Sequence, residues 1–177
     1  MDIVKLCLEH GATKAEEIPV SKLKLQPELR QYCELNHCGL YKRNYTCPPY
    51  VGEIDTLIAK LRNFQRGIIW QNVYPLEDSF DFEGMDEAKN KHRAMTLEIA
   101  RWVYEELGNS QALVLSAGGC TACPACGIQT AEPCRFPEQA LVSLEAYGVN
   151  VSQISEVSSM RYINGANTVT YFSGVFI

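Results

Sequence analysis

The chain has 177 residues, 46% of them apolar, and a formal net charge of −5 from 16 basic and 21 acidic residues. This length suits one domain with its own hydrophobic core, and we expect a single domain over residues 1–177. The sequence is acidic overall and has no basic patch for binding nucleic acid or an anionic membrane, so neither is expected as a partner. The absence of a long apolar run and of a signal peptide predicts a cytoplasmic protein.

Hydrophobic periodicity and turn residues predict helices and strands along the whole chain. The first helix carries Cys7 on its apolar face, where we expect a buried, unligated thiol. In the longest helix, the charged residues from Asp86 to Arg93 are predicted to face solvent, and His92 shows no partner in the sequence. In chain order, we predict a helix in the first ten residues, an edge strand within 15–25 broken by Pro19, a helix over 53–64, a buried strand over 68–74, a helix over 86–107, a buried strand over 112–117, a helix over 137–147, and strands over 149–154, 160–163 and 168–176, the last two forming a hairpin turned at Asn164 and Gly165.

The order of these elements predicts an α/β or α+β fold, in which helices pack on a mixed β-sheet of undetermined strand order. The segment 112–117 is a continuous apolar run, as expected for a strand buried on both faces. It leads directly into Gly118, Gly119 and Cys120. Ligand sites in open sheets commonly lie at the carboxyl ends of strands. We therefore expect cysteine-rich, metal-binding loops at this edge of the sheet.

Seven of the eight cysteines fall into two fifteen-residue segments, 33–47 and 120–134, which we call the first window and the second window. A cytosolic chain of this size does not need disulfides, and thiolates this dense repel one another unless a cation lies between them. Both windows are therefore expected to bind metal. The predicted ligands are Cys33, Cys38 and Cys47 in the first window and Cys120, Cys123, Cys126 and Cys134 in the second.

The spacing of the second window favours an iron–sulfur cluster over zinc. A Cys-x2-Cys-x2-Cys run lets one loop surround a cluster, as in bacterial ferredoxins, although the fourth cysteine here follows after seven residues instead of three. Gly118 and Gly119 would allow close approach of the backbone, and Arg135 would offset the negative charge of the thiolates. Zinc stays open as the alternative, because four thiols also satisfy a tetrahedral structural site.

Both windows carry further residues in a fixed order around their cysteines. The motifs are Cys38-Gly39-x-Tyr41, Cys47-Pro48-Pro49-Tyr50, Gly118-Gly119-Cys120-x2-Cys123-x2-Cys126 and Pro133-Cys134-Arg135-x-Pro137. With these motifs the chain resembles, over nearly its whole length, a family of predicted metal-binding proteins of anaerobic bacteria and archaea (the DUF2284 type). The resemblance implies a cysteine-ligated metal centre, most consistent with iron–sulfur, in a cytoplasmic protein.

Taken together, the sequence predicts a [4Fe–4S] cluster held by the second window, used for redox or ligand-binding chemistry. The first window either supplies a second centre with an open coordination site or folds over the first centre. An iron–sulfur oxidoreductase and an electron-transfer accessory both fit, and the expected partner is a redox protein or a small-molecule ligand. In the alternative, zinc cross-links the loops of an interaction module that has no catalytic activity. The sequence predicts no oligomeric state.

Overall fold

The computed structural model describes residues 2–177, which form an α+β fold around one five-stranded sheet. Within these residues, no helix is long and apolar enough to cross a lipid bilayer. In chain order, the elements are α1 (Ile3–Glu9), β1 (Lys14–Pro19), α2 (Leu29–Glu34), α3 (Ile54–Arg62), β2 (Arg66–Pro75), α4 (Phe82–Leu107), β3 (Leu113–Ser116), β4 (Val142–Ser143) and β5 (Thr168–Phe176).

The strands lie in the order β1-β2-β5-β3-β4, so the predicted mixed sheet is confirmed. Strands β3 and β4 pair in parallel, while the other neighbouring strands are antiparallel. Strand β1 lies at one edge and ends at Pro19, as expected because proline cannot donate to a ladder. Strand β3 lies between β5 and β4, and all four of its residues are buried.

Two apolar clusters hold the sheet, and residues that alternate along each strand contribute to different clusters. In β2, Ile68 and Trp70 join the cluster that contains residues of α1 and α4, while Ile69 joins the cluster that contains residues of α3. Burial on both faces explains the continuous apolar runs over residues 68–70 of β2 and 113–115 of β3. Cys7 lies fully buried in the first of these clusters, as predicted.

The helix predicted over residues 137–147 is wrong. Only short 3₁₀ turns form at Pro137–Gln139 and Glu145–Tyr147, and β4 lies between them. Strand β4 pairs with β3, and the Leu144 amide donates to the Ser116 carbonyl at 3.0 Å. Pairing with a buried strand therefore replaces the helical hydrogen bonds that the local sequence favours.

The hairpin predicted at the end of the chain is also wrong. Strand β5 pairs with β2 over nine residues and with β3, whereas residues 160–163 form no strand and Ile163 is 78% exposed. The predicted strand over 149–154 is mostly a 3₁₀ segment, Val151–Glu156. Non-local pairing between two long, buried strands buries more apolar surface than a local hairpin with an exposed strand would.

The face of α4 predicted to be solvated is partly buried. His92 is fully buried, and its ring hydrogen-bonds Asn72 Oδ1 at 2.8 Å and Ser173 Oγ at 2.6 Å. Burial lowers the pKa of His92 to about 4, so the ring is neutral at pH 7. Arg93, the next residue, is only 7% exposed. Both side chains point into the protein, where His92 contacts β2 and β5 and Arg93 contacts Cys120 of the second window.

Candidate metal centre

The second window begins directly after β3, where the chain turns at Gly118 with a left-handed φ of +68°. All four of its cysteines are free thiols and are partly exposed. They line one cavity of about 240 Å³. The cysteines that line it are Cys120, Cys123, Cys126 and Cys134.

A tight return of the loop brings Cys134 back to this cavity. Gly127 is buried, and a Cβ atom added to it would lie 2.7 Å from the carbonyl oxygens of Glu132 and Pro133. The Glu132 amide also donates to the Gly127 carbonyl at 2.8 Å. Only glycine fits such a close approach of two backbone segments. The seven residues between Cys126 and Cys134 thus form a loop whose two ends meet at Gly127.

The first window forms the opposite wall of the cavity through the residues between its second and third cysteines. The Asn44 side chain donates to the Cys120 carbonyl at 2.7 Å, and the Cys120 amide donates to Thr46 Oγ1 at 3.1 Å. Both polar side chains are buried. We call Asn44 and Thr46 the Cys120 clamp, because together they fix the backbone on both sides of this cysteine. The wall residues of the first window are Gly39, Leu40, Arg43, Asn44, Tyr45 and Thr46.

Two further hydrogen bonds join the windows farther along the loop. The Tyr45 hydroxyl donates to the Glu132 carbonyl at 2.7 Å, and the Gln129 side chain donates to the Arg43 carbonyl at 3.3 Å. The two windows therefore dock through polar contacts from side chains to backbone, which hold the second window in place without using its thiols.

The thiols of the first window lie outside this cavity. Cys33 belongs to α2, Cys38 is exposed, and Cys47 is partly buried. They are close enough for their charges to interact, and Cys47 also interacts with Cys120. Cys47 lies against the start of the second window, since a Cβ atom on Gly119 would come within 3.1 Å of its sulfur. Burial raises the pKa of Cys33, and it raises the pKa of Cys47 to about 11.

Within residues 2–177, no three His, Cys, Asp or Glu side chains are gathered closely enough to hold a single metal ion. A tetrahedral zinc site with Zn–S bonds of about 2.3 Å places its sulfur atoms only about 3.8 Å apart. The four thiols of the second window are instead distributed over the wall of a cavity.

Two arginines approach the second window in different surroundings. Arg135 lines the cavity beside Cys123, is exposed, and pairs with Glu132 at 2.6 Å, which raises the pKa of the guanidinium. Arg93 comes from α4, is buried, and donates through one nitrogen, Nη2, to Cys120 Sγ at 3.4 Å and to the Gln139 carbonyl at 2.6 Å. Of the two, the sequence pointed only to Arg135.

The two predicted glycines lie at the start of the second window, whereas two other features of the site were not predicted. Gly118 and Gly119 lie in the turn before Cys120. Gly119 is packed against Leu40, because a Cβ atom added to it would lie only 2.5 Å from Leu40 Cδ1. Close approach of these glycines to a bound group stays a prediction. The Cys120 clamp was not predicted, although two polar residues shortly before Cys47, Asn44 and Thr46, are a visible signal in the sequence. For Arg93 no signal exists, because it lies 27 residues before Cys120 on a helix face that looks solvated.

A family model matches residues 16–177 of the chain. This span contains both windows and all five strands except the first two residues of β1. The chain belongs to the family described as predicted metal-binding protein (DUF2284). The predicted family is thus confirmed, and its description supports metal binding as the general function. No curated protein and no solved structure matches the chain.

Proposed function

We propose that this metal-binding protein holds a [4Fe–4S] cluster through the four thiols of the second window and uses it for redox or ligand-binding chemistry. The observation that carries the proposal is that these four thiols, from a loop with ferredoxin-like spacing, line one cavity of about 240 Å³. A cluster takes its thiolate ligands from points around its surface, so it requires a cavity with sulfurs on its walls.

The residues present fit such a group in charge as well as in donor chemistry. Thiolates are the usual ligands of iron–sulfur clusters, and the buried Arg93 brings a permanent positive charge to Cys120. When bound, the cluster would supply a centre that accepts and returns single electrons. The chain itself holds the loop through the Cys120 clamp and covers one side of the cavity with residues 39–46.

We propose that the first window covers the cavity of the second, and we retain its three cysteines as candidate ligands. Its residues 39–46 cover the cavity, which agrees with the expectation that it folds over the first centre. The thiols of Cys33, Cys38 and Cys47 lie near one another, and Cys47 lies against Gly119, so a second centre held by them would lie beside the first. We further propose a cytoplasmic location and either a redox protein or a small molecule as the partner.

Visible spectroscopy on anaerobically purified protein tests the proposed function. We expect a brown protein whose broad visible absorbance is bleached by dithionite and returns on reoxidation. A spectrum that also shifts when a small thiol or cyanide is added would indicate an iron with an open coordination position. A spectrum that changes only with the redox state would favour electron transfer. A colourless protein that carries zinc would contradict the proposal.

A further inference from the structure

Arg93 carries a buried positive charge, and no acidic side chain among the described residues forms an ion pair with it. The residue is only 7% exposed. An arginine side chain carries a permanent positive charge in proteins. Burying an unpaired charge costs a free energy comparable to the stability of a whole domain. A fold that retains such a residue needs a negative charge beside it.

The hydrogen bonds of Arg93 show where that negative charge belongs. Nη2 donates to Cys120 Sγ at 3.4 Å and to the Gln139 carbonyl at 2.6 Å. The second terminal nitrogen, Nη1, is buried and has no hydrogen-bond partner. Of the groups that Nη2 contacts, only the Cys120 sulfur can become an anion, and it does so when it coordinates a metal, because thiolates are the ligating form.

We propose that Arg93 is the buried counter-charge of the metal centre at Cys120, a positioning residue that acts through this thiolate. The proposal rests on metal binding by the second window. Donation of N–H to a ligating sulfur withdraws electron density from the centre, and hydrogen bonds to the sulfurs are among the factors that set the potential of iron–sulfur clusters. A fixed positive charge also favours the reduced state, which carries one more negative charge.

Arg135 provides a matched control. It is also an arginine beside a cysteine of the same window, but it is exposed and already paired with Glu132. Water screens its charge, so its influence on the centre should be weak. We therefore compare Arg93→Gln with Arg135→Gln, and include Arg93→Lys, which keeps the positive charge but replaces the planar guanidinium with an ammonium group.

The experiment begins with iron, sulfide and zinc analysis of the wild type and of the three variants. If the wild type holds a cluster, one-electron reduction by dithionite under a redox titration gives the midpoint potential of each protein. We expect a lower potential in Arg93→Gln, partial recovery in Arg93→Lys, and a smaller decrease in Arg135→Gln, because Arg135 lines the cavity beside Cys123 but is exposed to water. Equal potentials in Arg93→Gln and the wild type would overturn the proposal.

If the wild type holds zinc and no sulfide, the proposed function fails, but the role of Arg93 is still tested. Transfer of zinc to a coloured chelator should then be about 10-fold to 100-fold faster in Arg93→Gln than in Arg135→Gln. Equal rates of zinc transfer in these two variants would overturn the proposal that Arg93 is the counter-charge. Should Arg93→Gln fail to fold, as judged by circular dichroism, Arg93→Lys carries the test, and a potential or transfer rate equal to that of the wild type would again contradict it.

Discussion

The two cysteine windows have a similar density of thiols but different surroundings. The four thiols of the second window line one cavity, whereas those of the first window lie outside it, although residues 39–46 form part of its wall. In the second window, short and regular gaps keep the sulfurs on one loop that closes on itself at Gly127. In the first window, the long gap before Cys47 contains the Cys120 clamp. Spacing between cysteines therefore separates a loop that lines the cavity with thiols from a segment that lines it with other side chains.

The largest expected effect separates the windows directly. Replacing Cys123 with Ser removes one of the four thiols around the cavity, so the visible absorbance of a four-iron centre should be lost or nearly lost. The matched change Cys38→Ser removes an exposed thiol outside the cavity and should leave the absorbance of the second window in place. Absorbance and iron content of the two purified variants provide the measurement. Equal losses in both variants would remove the distinction between the windows.

A second prediction concerns two neighbouring residues of α4, of which His92 contacts the sheet and Arg93 contacts the second window. The pKa of buried His92 is about 4, below its ordinary value of 6.5. Between these values the unfolded chain binds a proton that the folded chain does not. The free energy of unfolding should therefore fall as the pH is lowered from 6.5 to 4, by about 1.4 kcal/mol per unit from this residue alone.

Urea unfolding of the metal-free protein at several pH values measures this dependence. We expect His92→Gln to have a shallower decline than the wild type over the same range. Replacing the exposed His37 with Gln should leave the slope unchanged. The prediction fails if His92→Gln and the wild type lose stability at the same rate on acidification.

The Cys120 clamp gives the smallest effect and tests the covering part of the first window. Thr46→Val keeps the shape of the side chain but leaves the Cys120 amide without its acceptor, which should cost about 1–3 kcal/mol of unfolding free energy. Thr46→Ser retains the oxygen and should be close to the wild type. Chemical denaturation of the three proteins measures the difference. A stable Thr46→Val variant that also retains its metal normally would show that the clamp does not hold the second window.

Local patterns predicted those parts of the molecule in which the sequence and the tertiary structure favour the same element. The apolar face of α3, the continuous run of β3 and buried Cys7 all follow from short-range spacing. The failures occur where a distant partner decides. Residues 142–143 join β3 instead of continuing a helix, and β5 pairs with β2 across about a hundred intervening residues.

The candidate site shows the same division. The four cysteines of the second window could be grouped from their spacing, and Arg135 from its place beside Cys134. The contacts of Asn44 with Cys120 and of Arg93 with Cys120 bridge 76 and 27 residues, respectively. Such contacts depend on how α4 and the first window pack around β3, and a polar residue carries no mark of its eventual partner in the sequence.

The most direct measurement is the amount of acid-labile sulfide, iron and zinc per chain in protein purified without oxygen. Inorganic sulfide distinguishes a cluster from any centre built only of protein thiolates. We predict about four iron and four sulfide per chain for the cluster of the second window, and more only if the first window holds its own centre. A full complement of zinc with no sulfide would contradict the iron–sulfur centre.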